Sequence, residues 1–308
     1  MGPKYNNVLV LGGTGFIGKN LRALKPEWDY AGTDGGYYDF TELCDVLAVI
    51  RAYEPDAIIN LASRVGGIKD NATNQLEFYE QNIVMNTNIL KAARILQVPR
   101  VLSALSTCAW PNSTRSSYTL MSETDLFQSG QDVHPFRGHL GYGWTKRMLH
   151  LHTKLSRSQG WNYSTFAPSN VYGPYDNFFT DSGHFVSALI SKVYSSDGSI
   201  RLWGTGQALR QYIYVEDLCE IIVSLLDNHN SDIPVLVAPA ENLSIAAMAE
   251  ILIKNLDKNI TVEFTGELGG QFRKDCSNHG LTRIIGEYDF TTFEAGVVKT
   301  YNWFLENK

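Results

Sequence analysis

What this sequence has little of narrows its function quickly. It carries only four cysteines in 308 residues, Cys44, Cys108, Cys219 and Cys276, widely scattered and with no pair at metal-ligand spacing. That excludes a disulfide-stapled scaffold or a zinc-finger set, and it predicts reduced thiols in the cytoplasm and no bound metal. No apolar run approaches the roughly eighteen residues that a membrane-spanning helix needs. No block of Lys and Arg stands out and the formal net charge is −6, so the basic footprint of a nucleic-acid binder is missing. A phosphorylated ligand stays compatible, because a few placed arginines and helix N-termini bind phosphate against an acidic average. The opening MGPKYNNVLVLGG has no separate apolar signal region, and Asn6 stands where myristoylation requires Ser or Thr, so no leader or lipid anchor is expected.

What is present fits a globular enzyme: 44% hydrophobic and 19% charged residues, without internal repeats or low-complexity tracts. Short apolar runs alternate with segments of helical periodicity. Strands are expected at Val8 to Leu11, Tyr30 to Thr33, Ala57 to Ala62, Arg100 to Leu105 and Tyr163 to Ala167. Between them lie helices from Lys19, through Glu42 to Ala52, Gln75 to Val98 and Tyr142 to Gln159. That order predicts an α/β fold, a Rossmann-type doubly wound parallel sheet. After Pro168 to Pro174, which breaks regular structure, the pattern becomes mixed. Helices are expected at His184 to Tyr194, Val215 to Leu226, Leu243 to Leu256 and Ala295 to Phe304, with extended stretches at Ile200 to Trp203 and Ile260 to Phe264. The expected division is a dinucleotide-binding domain over 1–168 and a smaller, mixed α/β substrate lobe over 169–308, interleaved with the first.

The first strand runs into Gly12-x-x-Gly15-x-x-Gly18. In such a turn the first glycine permits the bend, the second lets the backbone approach a diphosphate, and the third lets the helix close on the sheet. Phe16 and Ile17 within the turn, and Ala62 at the end of the third strand, are placed with the same cofactor cleft. Asp34, just past the second strand, is a carboxylate for an adenosine ribose diol, and Asp39 is a second polar candidate near the adenine. A carboxylate there favours NAD over NADP, whose 2′-phosphate it would repel. A plain turn aspartate is the other reading of Asp34.

Tyr142 and Lys146 stand four residues apart, on one face of a helix. A phenol there can protonate a carbonyl oxygen as a hydride reaches the carbon, while the ammonium lowers the phenol's pKa and holds the cofactor ribose. Ser106, at the carboxyl end of the fourth strand, can hydrogen-bond the same oxygen, in the crevice where open α/β sheets bind ligands.

With those residues in place the chain resembles the extended short-chain dehydrogenase/reductase family, and within it the GDP-L-fucose synthase branch. The resemblance rests on Asn60 to Ile68 (NLASRVGGI), Ser106 to Pro111 (STCAWP), Tyr142 to Lys146 (YGWTK), Asn170 to Phe178 (NVYGPYDNF), His184 to Leu189 (HFVSAL), Trp203 to Tyr212, and the tail Tyr301 to Asn307. It implies NADP(H) or NAD(H) as cofactor, a GDP-linked keto sugar as substrate, and a homodimer formed through the Tyr142 helix. It further implies Ser106, Tyr142 and Lys146 as reduction residues, Cys108 as the base and His184 as the acid of a 3,5-epimerisation. Asn177, Phe185, Leu189, Trp203, Arg210 and Lys274 would grip the nucleotide sugar. The chain departs from the pattern at Gly13-Thr14 and Asp34, where bacterial members carry arginines, and at Ala109 and Trp110 beside the sugar pocket. The first departure predicts a weaker NADPH preference; the second allows a different hexose or a heptose.

The chemistry is coherent with this assignment. A ketone at C4 acidifies the hydrogens on C3 and C5, since either deprotonation spreads charge onto the same oxygen. A C4 reductase that leaves Cys108 and His184 idle remains an alternative, as does a dinucleotide-binding sensor that catalyses nothing.

Overall fold

The computed structural model describes residues 4–32, 38–112, 120–127, 134–178, 183–256, 258–266 and 271–308, without the side chains of residues 68 and 69. The chain opens with β1 (Val8–Leu11), α1 (Phe16–Leu24), β2 (Asp29–Ala31), α2 (Leu43–Tyr53) and β3 (Ala57–Asn60). It continues through α3 (Ile68–Thr73), α4 (Gln75–Ile95), β4 (Arg100–Ala104), α5 (Leu140–Arg157) and β5 (Asn162–Pro168). Every residue of β1, β3 and β4 is buried, the mark of strands covered by helices on both faces of a parallel sheet.

Then follow β6 (Asn170–Tyr172), α6 (Phe185–Ser195), β7 (Ser199–Leu202), β8 (Leu209–Arg210), β9 (Tyr212–Tyr214), α7 (Val215–Asn228) and β10 (Val235–Val237). The chain ends with β11 (Leu243–Ser244), α8 (Ile245–Asn255), β12 (Thr261–Phe264), β13 (Arg273–Lys274), α9 (His279–Ile285) and α10 (Phe293–Asn307).

The main sheet has six strands in the order β10-β5-β4-β3-β1-β2, all parallel. One face packs Val46, Ile89, Leu90 and Leu149 from α2, α4 and α5. The other packs Leu21, Leu218, Ile222 and Leu281 from α1, α7 and α9. Winding reverses between β1 and β3, and a crevice at such a reversal is where this architecture binds ligands. Because the strands are parallel, Gly12, Leu61, Leu105 and Ser169 all leave the sheet along one edge.

The segment after residue 168 serves both parts. β10 extends the main sheet beside β5, while α6, α8 and α10 build a separate core around Tyr172, Ile190, Leu252 and Phe304. Small parallel pairs, β6 with β9 and β7 with β12, surround that core. β13 lies parallel to β8 with Lys274 opposite Arg210. The Pro168 to Pro174 stretch, read from sequence as irregular, contains β6, because Gln211 and its neighbours supply a partner strand that the local sequence does not reveal. No helix among the described residues is long and apolar enough to cross a membrane.

Candidate active site

A cavity of about 1010 Å³ opens along the carboxyl edge of the main sheet and is closed on its far side by the second lobe. That volume sits at the top of the range for small-molecule sites, as a pocket for two ligands requires. Gly12, Gly15, Phe16, Ile17, Gly18, Asp39 and Ala62 are among the residues that line it. Ser106, Cys108, Tyr142, Lys146 and His184 line it too, as do Phe185, Trp203, Arg210 and Lys274.

The glycines are forced by contact. Gly12 sits at φ +86°, and a Cβ there would meet the backbone of Leu61 and Ala62 at 2.8 Å. A Cβ on Gly18 would stand 2.4 Å from the Gly12 carbonyl oxygen. Gly15 is the N-cap of α1 and supplies no side-chain cap. Its first N–H groups therefore point at the cavity unsatisfied by side chains, a cradle that fits a dinucleotide diphosphate. Asp39 accepts from the backbone and hydroxyl of Thr41 at 2.8 and 2.7 Å, so it is part of its own turn. Asp34 lies outside the described residues. Arg64, a further cation on the cavity wall, is paired with Glu77 at 2.7 Å.

The residues expected to carry reduction come from two neighbouring elements. Ser106 follows β4, and its Oγ accepts from the Cys108 N–H at 3.2 Å, starting a short turn of 3₁₀ helix. Arg147 of α5 clamps that turn, donating to the Ala109 carbonyl at 3.0 and 2.6 Å. Tyr142 on the same helix faces the hydroxyls of Ser106 and Ser63, which favour its ionised form. Burial first, and the neighbouring Cys108 second, push its phenol well above the usual range. This corrects the expectation of a lowered pKa: Lys146 instead donates to the Ala104 carbonyl at 2.9 Å, with its ammonium 5.7 Å from the Tyr142 ring centroid. Burial brings Lys146 down to about 8. The phenol is held protonated, which is the state a proton donor needs.

The second group is assembled across the lobes. His184 precedes α6, and its Nδ1 lies 2.9 Å from Asp176 Oδ1. Asp176 is 8% exposed and also accepts from Ser187 Oγ at 3.0 Å and the Asn177 N–H at 2.8 Å. Burial pulls the imidazole down, but the Asp176 hydrogen bond and charge outweigh it, and the balance is upward. With Nδ1 engaged, Nε2 is the nitrogen left for chemistry. Across the cavity Lys274 donates to Cys108 Sγ at 3.1 Å. Neither Asp176 nor Ser63 was singled out for a site role from sequence; only the hydrogen bonds reveal them.

Four further residues fall elsewhere. Leu189 is 1% exposed and faces the core of the second lobe with Val186 and Ile190, since its place on α6 turns it away from the cavity. Asn177 is exposed and outside the cavity lining, carried past it by the turn that aims Asp176 inward. Trp110 and Ala109 are fully buried, with the indole N–H donating to Ser122 O at 2.7 Å. They are core, which corrects the expectation that they shape the sugar pocket. Trp203, 61% exposed, lines the cavity together with Phe272, 60% exposed. Arg210 is braced by the carbonyls of Leu209 and Gln271 at 2.6 and 2.7 Å, and burial lowers its pKa. Among the described residues no three His, Cys, Asp or Glu converge as a metal-ligand set.

Comparison with known proteins bears on this cavity. A profile of the "NAD dependent epimerase/dehydratase family" matches residues 8–237. A GDP-L-fucose synthase from Dictyostelium discoideum is 30% identical, over 97% of this chain and 95% of that one. A GDP-L-colitose synthase from Yersinia pseudotuberculosis is 25% identical over 98% of each. A crystal structure of a GDP-L-fucose synthetase from Naegleria fowleri bound to NADP superimposes with a TM-score of 0.87 at 27% identity. That alignment covers 100% of this chain and 94% of the other.

Proposed function

The chain belongs to the NAD dependent epimerase/dehydratase family, in its GDP-L-fucose synthase branch, and we infer from that membership and the cavity's geometry that it converts GDP-4-keto-6-deoxy-D-mannose to GDP-L-fucose. It does so as an NAD(P)-dependent oxidoreductase that epimerises C3 and C5 and then reduces C4. The observation that carries this reading is the coexistence, on one cavity wall, of Cys108 two residues past Ser106 and beside Tyr142.

Residue by residue, the sequence of events is short. Cys108 as thiolate takes the proton from C3; the C–H pair becomes the C=C bond and the C=O pair moves onto oxygen. Ser106 and Tyr142 stabilise that oxygen by hydrogen bonding. His184 returns a proton to the opposite face, leaving Cys108 protonated and His184 neutral, and solvent exchange restores both. The same exchange at C5 completes the epimerisation. NAD(P)H, which the Gly12 to Gly18 cradle would hold, would supply the hydride for C4, and Tyr142 protonates the oxygen it already holds. Lys146, which lines the same cavity, would hold the cofactor ribose. Trp203, Phe185, Arg210 and Lys274 line the part of the cavity left for the nucleotide sugar.

We place the enzyme in the cytoplasm as a homodimer. None of the four cysteines is in a disulfide, which suits a reducing compartment. Leu76 and Tyr79 on α4 and Leu151 and Leu155 on α5 expose apolar side chains on two helices that pack together, the kind of face a second copy covers. Light scattering should give twice 34.4 kDa.

The test is incubation with GDP-4-keto-6-deoxy-D-mannose and NADPH or NADH in parallel, with the product identified by NMR. GDP-L-fucose supports the reading; an unepimerised C4 alcohol replaces it with a plain reductase, and no turnover with a tightly held cofactor replaces it with a sensor. A kcat/KM ratio for NADPH over NADH below about a hundred, roughly 2.7 kcal/mol at the transition state, is expected from Asp34.

A further inference from the structure

Lys274 and Cys108 are 166 residues apart in sequence, yet the Lys274 ammonium donates to the Cys108 sulfur at 3.1 Å. The sequence resemblance assigned Lys274 to gripping the nucleotide sugar. Its position gives it another task. β13 pairs with β8, putting Lys274 opposite Arg210, and Cys108 sits on the Ser106 turn that Arg147 fixes to α5. Both ends of the contact are therefore held by ordered backbone.

We propose that Lys274 is a positioning residue for the base: its ammonium holds Cys108 as thiolate, ready to abstract a carbon-bound proton near neutral pH. This rests on the reading of Cys108 as the epimerisation base. A thiol can take a proton only after losing its own, and a cation in contact stabilises the anion. The groups facing Cys108 agree in sign. Lys274 comes from β13 and Arg210 from β8, and the Arg210 charge is coupled to Cys108. His184, ahead of α6, is held toward its cationic form by Asp176 and feels the same sulfur. Tyr142 of α5, the remaining titratable neighbour, keeps its proton in this surrounding and adds no charge. The two nearby carboxylates are turned to other partners: Asp176 serves His184 and Ser187, and Asp275 serves Arg273 and Asn242. Lys274 makes the direct contact with the base, and the charges of Arg210 and His184 act on it in the same sense.

The contact also explains why a lysine suits this position. Its ammonium has three rotatable donors on a flexible stem, so it can stay on the sulfur while the sulfur takes and releases a proton.

The test reads the thiol itself. The rate of Cys108 alkylation by iodoacetamide is followed against pH by mass spectrometry of the Cys108 peptide, in wild type, Lys274→Gln and Lys274→Arg. Wild type is expected to show a midpoint about one pH unit or more below that of an ordinary free thiol, about 8.5. Lys274→Gln should raise the midpoint by about one unit, a tenfold loss of thiolate at pH 7, and Lys274→Arg should restore most of it. A wild-type midpoint at the ordinary value overturns the proposal without needing any variant, as does an unchanged midpoint in a folded Lys274→Gln. Solvent exchange at C3 and C5 separates the two claims. A shifted thiol with no exchange keeps the pairing and removes Cys108 as the base, whereas exchange with an unshifted thiol keeps the base and removes Lys274.

Discussion

The cavity holds two halves built in different ways. The half proposed for hydride transfer, Ser106, Tyr142 and Lys146, comes from the end of β4 and one face of α5, which pack around the same sheet. The proton half joins Cys108 to His184, Asp176 and Lys274 from three separated stretches on both lobes. The first needs one strand and one helix in register; the second exists only when the lobes close on each other. Reduction should therefore tolerate disturbance of the second lobe better than epimerisation does. In the proposed mechanism one oxygen site, made by Ser106 and Tyr142, serves both reactions.

The strongest way to break that comparison is Tyr142→Phe. It removes the proton donor and little surface, so reduction should fall by about 10²–10⁴ while NADP(H) titration by fluorescence stays near wild type. A reduction rate close to wild type would remove Tyr142 from the hydride half.

Asp176→Asn should strike the proton half alone. Without the carboxylate, burial outweighs what remains of the upward pull on His184 and its proton is lost at lower pH. The limb of the exchange-rate profile set by His184 should move down by about one pH unit, lowering exchange roughly tenfold above that limb. Reduction of a ketone analogue lacking exchangeable neighbours should be unchanged. An unmoved limb would mean that Asp176 serves only to anchor α6 through Ser187.

A smaller effect should appear in cofactor affinity. Lys146 is charged below about 8 and neutral above it. If its ammonium holds the ribose hydroxyls, the NADP(H) dissociation constant measured by titration should rise as pH passes from 7 to 9, by about threefold to tenfold. A flat profile would assign the lysine to the Ala104 carbonyl alone.

Much of the hydride half was legible in the chain because its cues are local. Val8 to Leu11 before Gly12, and Tyr142 four residues before Lys146, need only strand and helix periods to be read. Element positions agree to within a few residues, and α1 begins at Phe16 rather than Lys19 because the helix starts inside the glycine turn. β10 escaped notice, since three apolar residues carry no period of their own and gain strand character only beside β5. The proton half was legible as residue types but not as a circuit. Asp176 sits in a recognisable stretch, yet only the fold turns it toward His184, and the same turn leaves Asn177 outside the cavity. Leu189 matched a pattern whose helix face points into the core. Trp110 looked like a pocket residue until the turn after Ser106 buried it.

The most direct measurement is solvent deuterium uptake by GDP-4-keto-6-deoxy-D-mannose held on the enzyme without reduced cofactor, followed by NMR at C3 and C5. Enolisation needs the ketone, the oxygen site and the base, but no hydride. The account predicts uptake at both carbons in wild type and its suppression in Cys108→Ser, because a serine hydroxyl is a far weaker base than a thiolate near neutral pH. The same variant should still reduce the ketone through Ser106, Tyr142 and Lys146. A wild-type enzyme that reduces the keto sugar with no deuterium at either carbon would contradict the account and leave a C4 reductase with an idle thiol.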